Sequence, residues 1–159
     1  MLAFRGDPVG ELDTLAAMES AARASEQPVG VGIARFMALS IMSYAGMDTL
    51  DEMADVVDQL EGVDRGWASF GRGYLAVNAA YHGRFSISDA ALARRAEDAS
   101  RPILRAASDL ALAMRHFARG EALEALAAFD RALTSRFLPR SAENLALLGS
   151  ARAGADLGR

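Results

Sequence analysis

The chain has 159 residues, of which 52% are apolar, and its formal net charge is −4. It contains no cysteine, which excludes disulfides, thiolate chemistry and cysteine-based zinc sites. No apolar run approaches the ~20 residues that a membrane span needs, and the N-terminus turns acidic too early for a secretory signal, so we expect a cytoplasmic protein with no membrane partner.

Helix-forming residues dominate, and no alternating run rich in Val, Ile or Thr is long enough for a sheet. Residues 1–10 read as the end of a helix and a turn, with Gly6, Asp7 and Pro8 as breakers. Asp48 or Thr49, and later Ser86 or Ser88, are expected to be N-caps. Eight helices are predicted in chain order: 11–25, 28–45, 49–60, 65–82, 86–99, 101–119, 121–135 and one from about residue 141.

Two kinds of marker recur with one period. Gly46, Gly83 and Gly120 are spaced by 37 residues. Pro28, Pro102 and Pro139 follow the same period, except that the position between the first two holds Arg65 instead of proline. Proline is favoured in the first turn of a helix, and glycine is favoured just after the last turn, where a left-handed residue is needed. One marker therefore opens each long helix and the other closes it.

A fixed period favours a stacked solenoid over a closed bundle, because one helical hairpin cannot bury its apolar face alone. The side chains agree: residues 126–133, LAAFDRAL, match residues 15–22, LAAMESAA, three periods earlier. We expect one all-α repeat domain over residues 1–159. Its predicted units are a half-repeat 1–27, repeats 28–64, 65–101 and 102–138, and a half-repeat 139–159.

Residues 109–133 resemble a tetratricopeptide (TPR) repeat. The resemblance is carried by Leu112 and Ala113, Gly120 at the turn, and Ala125, Phe129, Ala132 and Leu133. Trp67, Phe70, Gly71 and Tyr74 echo the W-x2-L-G-x2-Y pattern of the same family. The period of 37 exceeds the family's 34, and the second-helix signature is poor between Gly83 and Ala96. Longer units of this kind look like the solenoid segments of large bacterial ATP-dependent transcription regulators. The resemblance implies a right-handed α-solenoid, a role as a protein-binding scaffold or sensor, no cofactor and no catalytic residue.

The frame of the repeat begins at the second helix of one unit and ends with the first helix of another. We interpret this as a piece of a longer protein. The alternative is a complete small protein whose terminal helices are caps, which predicts polar outer faces on residues 11–25 and 140–157.

Few residues suggest chemistry. His82 and His116 have no metal-ligand spacing, and His82 is expected to face solvent. The carboxylate row on the third helix faintly resembles an aspartate-rich diphosphate motif but is better explained as a solvated face; it comprises Asp48, Asp51, Glu52, Asp55 and Asp58. A basic strip on the later repeats is also better explained as solvated surface; it comprises Arg94, Arg95, Arg101, Arg105 and Arg115.

The inner face of the long helices is the predicted partner-binding groove. It would bind an amphipathic peptide helix or a neighbouring domain, with Arg35 and Arg72 as anchors for carboxylates. The alternative is that these residues are core. The full set is Arg35, Phe36, Ser40, Tyr44, Arg72, Val77, Tyr81, Leu110, Met114 and Phe117.

Three functions follow as hypotheses. The first is a protein- or peptide-binding module, whose partner can be another domain of its own longer chain. The second is a small helical ligand-binding protein or enzyme with its site near His116 and Asp109. The third is a self-assembling protein whose terminal half-repeats stack head to tail. The acidic balance argues against direct binding of nucleic acid.

Overall fold

A computed structural model describes residues 8–95, 102–135 and 140–158, with side chains throughout these ranges except at 94–95, 102–104 and 140–141. Within them the chain is all-helical, with eight helices and no strand. The helices are α1 Pro8–Ala24, α2 Pro28–Tyr44, α3 Leu50–Glu61, α4 Arg65–Tyr81, α5 Phe85–Arg95, α6 Pro102–Ala118, α7 Ala122–Leu133 and α8 Arg140–Asp156.

The predicted period is present in the backbone. Helices α2, α4 and α6 each have 17 residues and begin 37 residues apart. Gly46, Gly83 and Gly120 follow them with φ of 94°, 70° and 73°. This is the left-handed region, which glycine enters without steric cost, so the glycine markers do close the long helices as predicted.

Each helix packs on its neighbours along the chain. Every substantial helix contact within the described residues joins elements one or two apart, such as α3 with α4 and α4 with α6. This pattern of near-neighbour contacts is what a helical repeat predicts. The packing of adjacent helices is therefore consistent with a stacked array.

Helix α4 is the most enclosed element, because α2, α3, α5 and α6 all pack on it. Its residues from Ala68 to Ala80 are buried apart from the half-buried Phe70. Small side chains permit this close approach: a Cβ at Gly71 would lie 2.8 Å from a methyl group of Val57 on α3. The core of the protein is centred on this helix.

Several predicted local signals are wrong. Pro8 opens α1 instead of breaking the chain, as expected for a residue whose missing N–H is not needed in the first turn. Thr49 precedes α3 without capping it, since its hydroxyl donates to the carbonyl of Leu39 at 3.0 Å. Ser86 and Ser88 lie inside α5, which begins earlier, at Phe85.

One cap was missed by the sequence reading. Asp64 lies in a predicted turn, but its carboxylate accepts hydrogen bonds from the backbone N–H of Gly66, at 2.8 Å, and of Trp67, at 3.0 Å. These are two of the N–H groups that the start of α4 leaves without a partner inside the helix.

The exposed faces of the first and last described helices mix polar and apolar side chains. Met18 on α1 is 46% exposed and lies on the same helix as the exposed Asp13 and Arg23, and Leu148 on α8 is 71% exposed on the same helix as the exposed Glu143 and Arg152. The choice between a piece of a longer protein and a capped small protein stays a prediction. None of the helices in the described ranges is long and apolar enough to cross a bilayer.

Candidate functional site

The structure places most of the predicted groove in the core. Phe36, Ser40, Arg72, Val77, Leu110 and Met114 are buried. Tyr44 and Phe117 are half-buried, and Arg35 and Tyr81 are exposed. Six of the ten side chains thus follow the core alternative and do not form an open groove, because the long helices pack directly on one another. The partner-binding role of the remaining residues stays a prediction.

Arg72 was expected to bind a partner's carboxylate, but it already binds one inside the chain. Its guanidinium donates to the carboxylate of Glu61 on α3 at 2.9 Å, and its side chain is only 5% exposed. A buried guanidinium needs such a partner to offset its lost hydration. The role of Arg72 that the structure supports is joining α4 to α3.

A buried polar cluster joins α2 to α4. The amide nitrogen of Asn78, which is fully buried, donates to Ser40 Oγ at 3.2 Å and to the carbonyl of Tyr74 at 2.9 Å. Burial raises the pKa of the nearby Tyr44 hydroxyl well above its ordinary value.

His82 does not face solvent, which corrects the prediction. Its Nε2 lies 2.9 Å from Ser43 Oγ and 3.0 Å from the carbonyl of Ser43 on α2. The imidazole therefore fastens the end of α4 to the end of α2. The Tyr81 ring packs edge-on beside it, with 5.3 Å between the ring centroids.

His116 and Asp109 do not form a joint site. His116 bonds Glu121 across the turn after α6, with Nδ1 and Oε2 2.5 Å apart, and this bond lowers the pKa of the Glu121 carboxyl. Asp109 instead accepts from Arg131 of α7 at 3.0 Å. Asp109 and His116 are seven residues apart on α6, which corresponds to about 10 Å along the helix axis. Each side chain has its own partner.

The carboxylate row on α3 is at the surface, whereas the basic strip is described only in part. Asp51, Glu52, Asp55 and Asp58 are exposed, and Asp48 lies 3.7 Å from Arg84 in an exposed ion pair. The described residues hold no group of three or more side chains able to bind a metal ion. In the basic strip, Arg115 pairs with Asp89 on α5 and Arg105 is exposed. Arg101 lies outside the described residues, as do the side chains of Arg94 and Arg95.

A concave cleft lies between α3 and α5. Both helices pack on α4, but they make no substantial contact with each other. The space between them has a volume of about 300 Å³. It is lined by Ala54, Val57 and Asp58 of α3, Arg72 and Leu75 of α4, and Ser86, Ile87, Ala90 and Ala91 of α5.

The lining of this cleft is apolar at the floor and acidic at one wall. Val57 and Leu75 are buried, and Ile87 is half-buried beside them. Asp58 is exposed at the rim, in line with Asp51 and Asp55 on the same helix. The guanidinium of Arg72 pairs with Glu61, and the exposed Asp58 places a carboxylate at the mouth of the cleft.

A second apolar hollow is much smaller. It lies between α2 and α4, beside the exposed Trp67 and the half-buried Phe70, whose rings meet edge to face at 5.5 Å. Its volume is about 10 Å³, which is close to the ~10–15 Å³ that a single water molecule requires. Of these two concave features, the α3–α5 cleft is the one large enough for a side chain.

Sequence reasoning missed this cleft. A signal was present, since the fifth helix departs from the second-helix signature of the repeat. Alanine at positions 90, 91 and 93 gives α5 little bulk with which to cover α4. The poor second-helix signature between Gly83 and Ala96 therefore coincides with the cleft beside α5.

Comparison of the chain with protein-family models, with curated proteins and with solved structures finds no match.

Proposed function

We propose that this protein is a helical-repeat interaction module that binds a short peptide segment of a partner protein in the α3–α5 cleft. The main support for this proposal is the cleft itself. It has a volume of about 300 Å³ and an apolar floor, and a row of exposed carboxylates lies beside it. That volume is at the lower end of the range for small-molecule sites and admits one or two side chains of a peptide.

The chemistry of the lining defines the partner. An aliphatic or aromatic side chain would fill the space above Val57 and Leu75. A neighbouring arginine or lysine would lie against Asp58 and Asp55 on the exposed face of α3. We therefore propose a segment that combines an apolar anchor with basic flanking residues, bound by groove recognition.

The test begins with peptides selected from a random phage-displayed library on the immobilised wild-type protein. Labelled synthetic copies are then titrated by fluorescence anisotropy against wild type and Ala90→Phe, whose side chain fills the cleft. We expect at least about tenfold weaker binding, equivalent to ~1.4 kcal/mol. Ala127→Phe is the matched control, because Ala127 is exposed at the equivalent position one unit later. It should bind within about twofold of wild type.

Two further variants separate this site from the predicted inner face. Asp58→Lys should weaken the same peptides, and the loss should shrink as salt is added. Tyr81→Ala changes an exposed side chain at the far end of α4 and should leave binding unchanged. Peptides that bind Ala90→Phe normally but lose binding to Tyr81→Ala would move the site to the inner face.

The link to transcription regulators is a separate proposal that rests on the sequence resemblance alone. It predicts that a scaffold or sensor of this kind transmits the binding of a partner to other domains. Peptide binding in the cleft is compatible with such a role and does not depend on it.

A further inference from the structure

Helix α5 is attached to its neighbours less firmly than the other two short helices, α3 and α7. Helix α3 packs closely on both α2 and α4, and α7 packs closely on both α6 and α8. Helix α5 packs closely on α4, but among the described residues it makes only slight contact with α6. One side of α5 therefore lacks the helix packing that holds its counterparts in place.

The buried surface of α5 is also small. Of its described side chains, Ser88 and Ala91 alone are buried. The Ser88 hydroxyl has no hydrogen-bond partner among the described residues, so its burial does not stabilise the contact. Helix α3, by contrast, buries large apolar side chains that include Met53, Val56 and Leu60. Since stabilisation grows with the apolar area that is buried, displacing α5 from α4 costs less than displacing α3.

Two contacts from the end of α6 hold the side of α5 that lacks helix packing. Arg115 Nη1 lies 2.5 Å from Asp89 Oδ1, and the guanidinium of Arg119 lies over the Phe85 ring, 5.4 Å from its centroid. The two arginines are four positions apart, as are Phe85 and Asp89, so each set lies on one side of its helix. The Arg115 and Asp89 side chains are 25% and 43% exposed, so dissolved salt weakens this ion pair.

The opposite side of α5 is a wall of the α3–α5 cleft. Ile87 and Ala90 line the cleft, and a helical turn of about 3.6 residues puts them on the side of α5 away from Phe85 and Asp89. A shift of α5 away from α6 is therefore a shift into the cleft. Ile87 is half-buried, so the shift also covers apolar surface that the open cleft leaves in contact with water.

We propose that α5 is a movable wall of the α3–α5 cleft and that Arg115 and Arg119 hold it in the open position. When the ion pair to Asp89 is lost, α5 shifts toward α3 and the cleft narrows. The fraction of molecules that can accept a peptide side chain then falls, and the apparent affinity falls with it. This effect on affinity rests on the proposed function, whereas the position of α5 can be measured without a ligand.

The experiment measures the distance between α3 and α5 by double electron–electron resonance on the full chain. The sequence contains no cysteine, so nitroxide labels attach only at Gln59→Cys and Ala93→Cys, two exposed positions outside the lining of the cleft. Asp89→Asn and Arg115→Gln should each shorten the mean distance between the labels by about 2 Å, a usual size for a helix shift at a packed interface. Circular dichroism melting curves should show that both variants fold like wild type.

Asp109→Asn is the matched control. Asp109 pairs with Arg131 at 3.0 Å, which is also an ion pair between a long and a short helix, but there α7 packs closely on α6 as well. This variant should leave the label distance unchanged. In labelled protein without a helix-pair substitution, about 1 M salt should shorten the distance as Asp89→Asn does, because charges are then screened beyond ~3 Å. Salt should have no further effect on Asp89→Asn.

Peptides from the library selection then test the effect on binding. Arg115→Gln should weaken them at least about threefold, because fewer molecules hold the cleft open. If Arg115 acted only through its charge, its removal would instead strengthen the binding of a basic peptide. Tighter or unchanged binding would therefore overturn the role of Arg115 in holding the cleft open.

The label distances decide whether α5 moves at all. A distance that stays unchanged in both variants and at high salt would overturn the movable wall, as would an equal shortening in Asp109→Asn. A shortened distance together with a library that yields no binding peptide would confirm the movement of α5 and reject peptide binding in the cleft.

Discussion

The ring of Tyr44 meets the ring of Tyr81 edge to face, with 5.7 Å between centroids and 75° between planes. The two tyrosines are 37 residues apart, each the last residue of its long helix. Side chains at one repeat position therefore lie next to each other in space, as stacking of equivalent helices predicts. The same relationship makes individual substitutions predictable, because each position has a counterpart in a neighbouring unit.

The first prediction concerns close packing on α8. A Cβ at Gly149 would lie 2.2 Å from the ring of Phe129, whereas a Cβ at Gly154 would meet no atom within 4 Å. Gly149→Ala should therefore lower the free energy of unfolding by about 1–3 kcal/mol through overpacking. Gly154→Ala on the same helix should leave it unchanged or raise it by up to ~1 kcal/mol, because alanine is the better helix former. Urea denaturation of both variants measures the difference, and equal effects would contradict the close contact.

The second prediction concerns the turn glycines. Gly83 has a φ of 70° and open space around its Cα, so Gly83→Ala adds no clash but forces alanine into the left-handed region. We expect a loss of about 1–2 kcal/mol in the free energy of unfolding. Gly62 has a φ of −73° and only ordinary contacts. Gly62→Ala is the control, with an expected gain of up to ~1 kcal/mol from the stiffer unfolded chain.

The third prediction concerns the polar cluster between α2 and α4. Asn78→Ala removes an amide that donates to Ser40 Oγ and to the carbonyl of Tyr74, and it leaves a small cavity beside Ser40. The expected loss is about 2–4 kcal/mol in the free energy of unfolding. Ser40→Ala removes one acceptor only and should cost about 1 kcal/mol. Thermal and urea unfolding should rank the two variants in that order, and a smaller loss for Asn78→Ala would show that the cluster contributes little.

The fourth prediction concerns pH. The hydrogen bond from His116 lowers the pKa of Glu121 below its ordinary value of 4.5 in the folded state. The folded state therefore binds this proton less readily than the unfolded state, and the stabilisation is present above pH 4.5 and lost as the pH falls through the lowered pKa. Melting temperatures of wild type and Glu121→Gln should differ at pH 6, and the difference should shrink as the pH falls below 4.5. A difference that stays constant down to the lowest pH at which both proteins remain folded would rule out this linkage.

The sequence correctly predicted the repeat of helices, but it did not reveal that most residues of the predicted groove are buried. The difference has a physical reason. Turn geometry is local: Gly83 and Gly120 mark the left-handed position wherever the neighbouring residues lie, so the ends of α4 and α6 followed directly from the chain. Burial is not local. Val77 and Leu110 could face an open surface or a second helix, and which one occurs depends on how closely α4 and α6 approach.

Polar side chains show the same limit. His82 follows the last residue of α4, a position that is commonly exposed, but the proximity of α2 gives it Ser43 as a partner. Arg72 was predicted to anchor a partner's carboxylate, but α3 brings Glu61 to it from a different helix. In both cases the interaction depends on the distance between two helices, which no spacing along one helix reveals.

The nearest-neighbour pattern of contacts also bears on how fast the chain acquires its structure. Helices that meet only partners one or two places away close short loops, and short loops carry a small entropic barrier. Proteins with such local contacts reach the native state in microseconds to milliseconds. Since α4 touches four other helices, we expect nucleation to begin around it and to spread outward along the array.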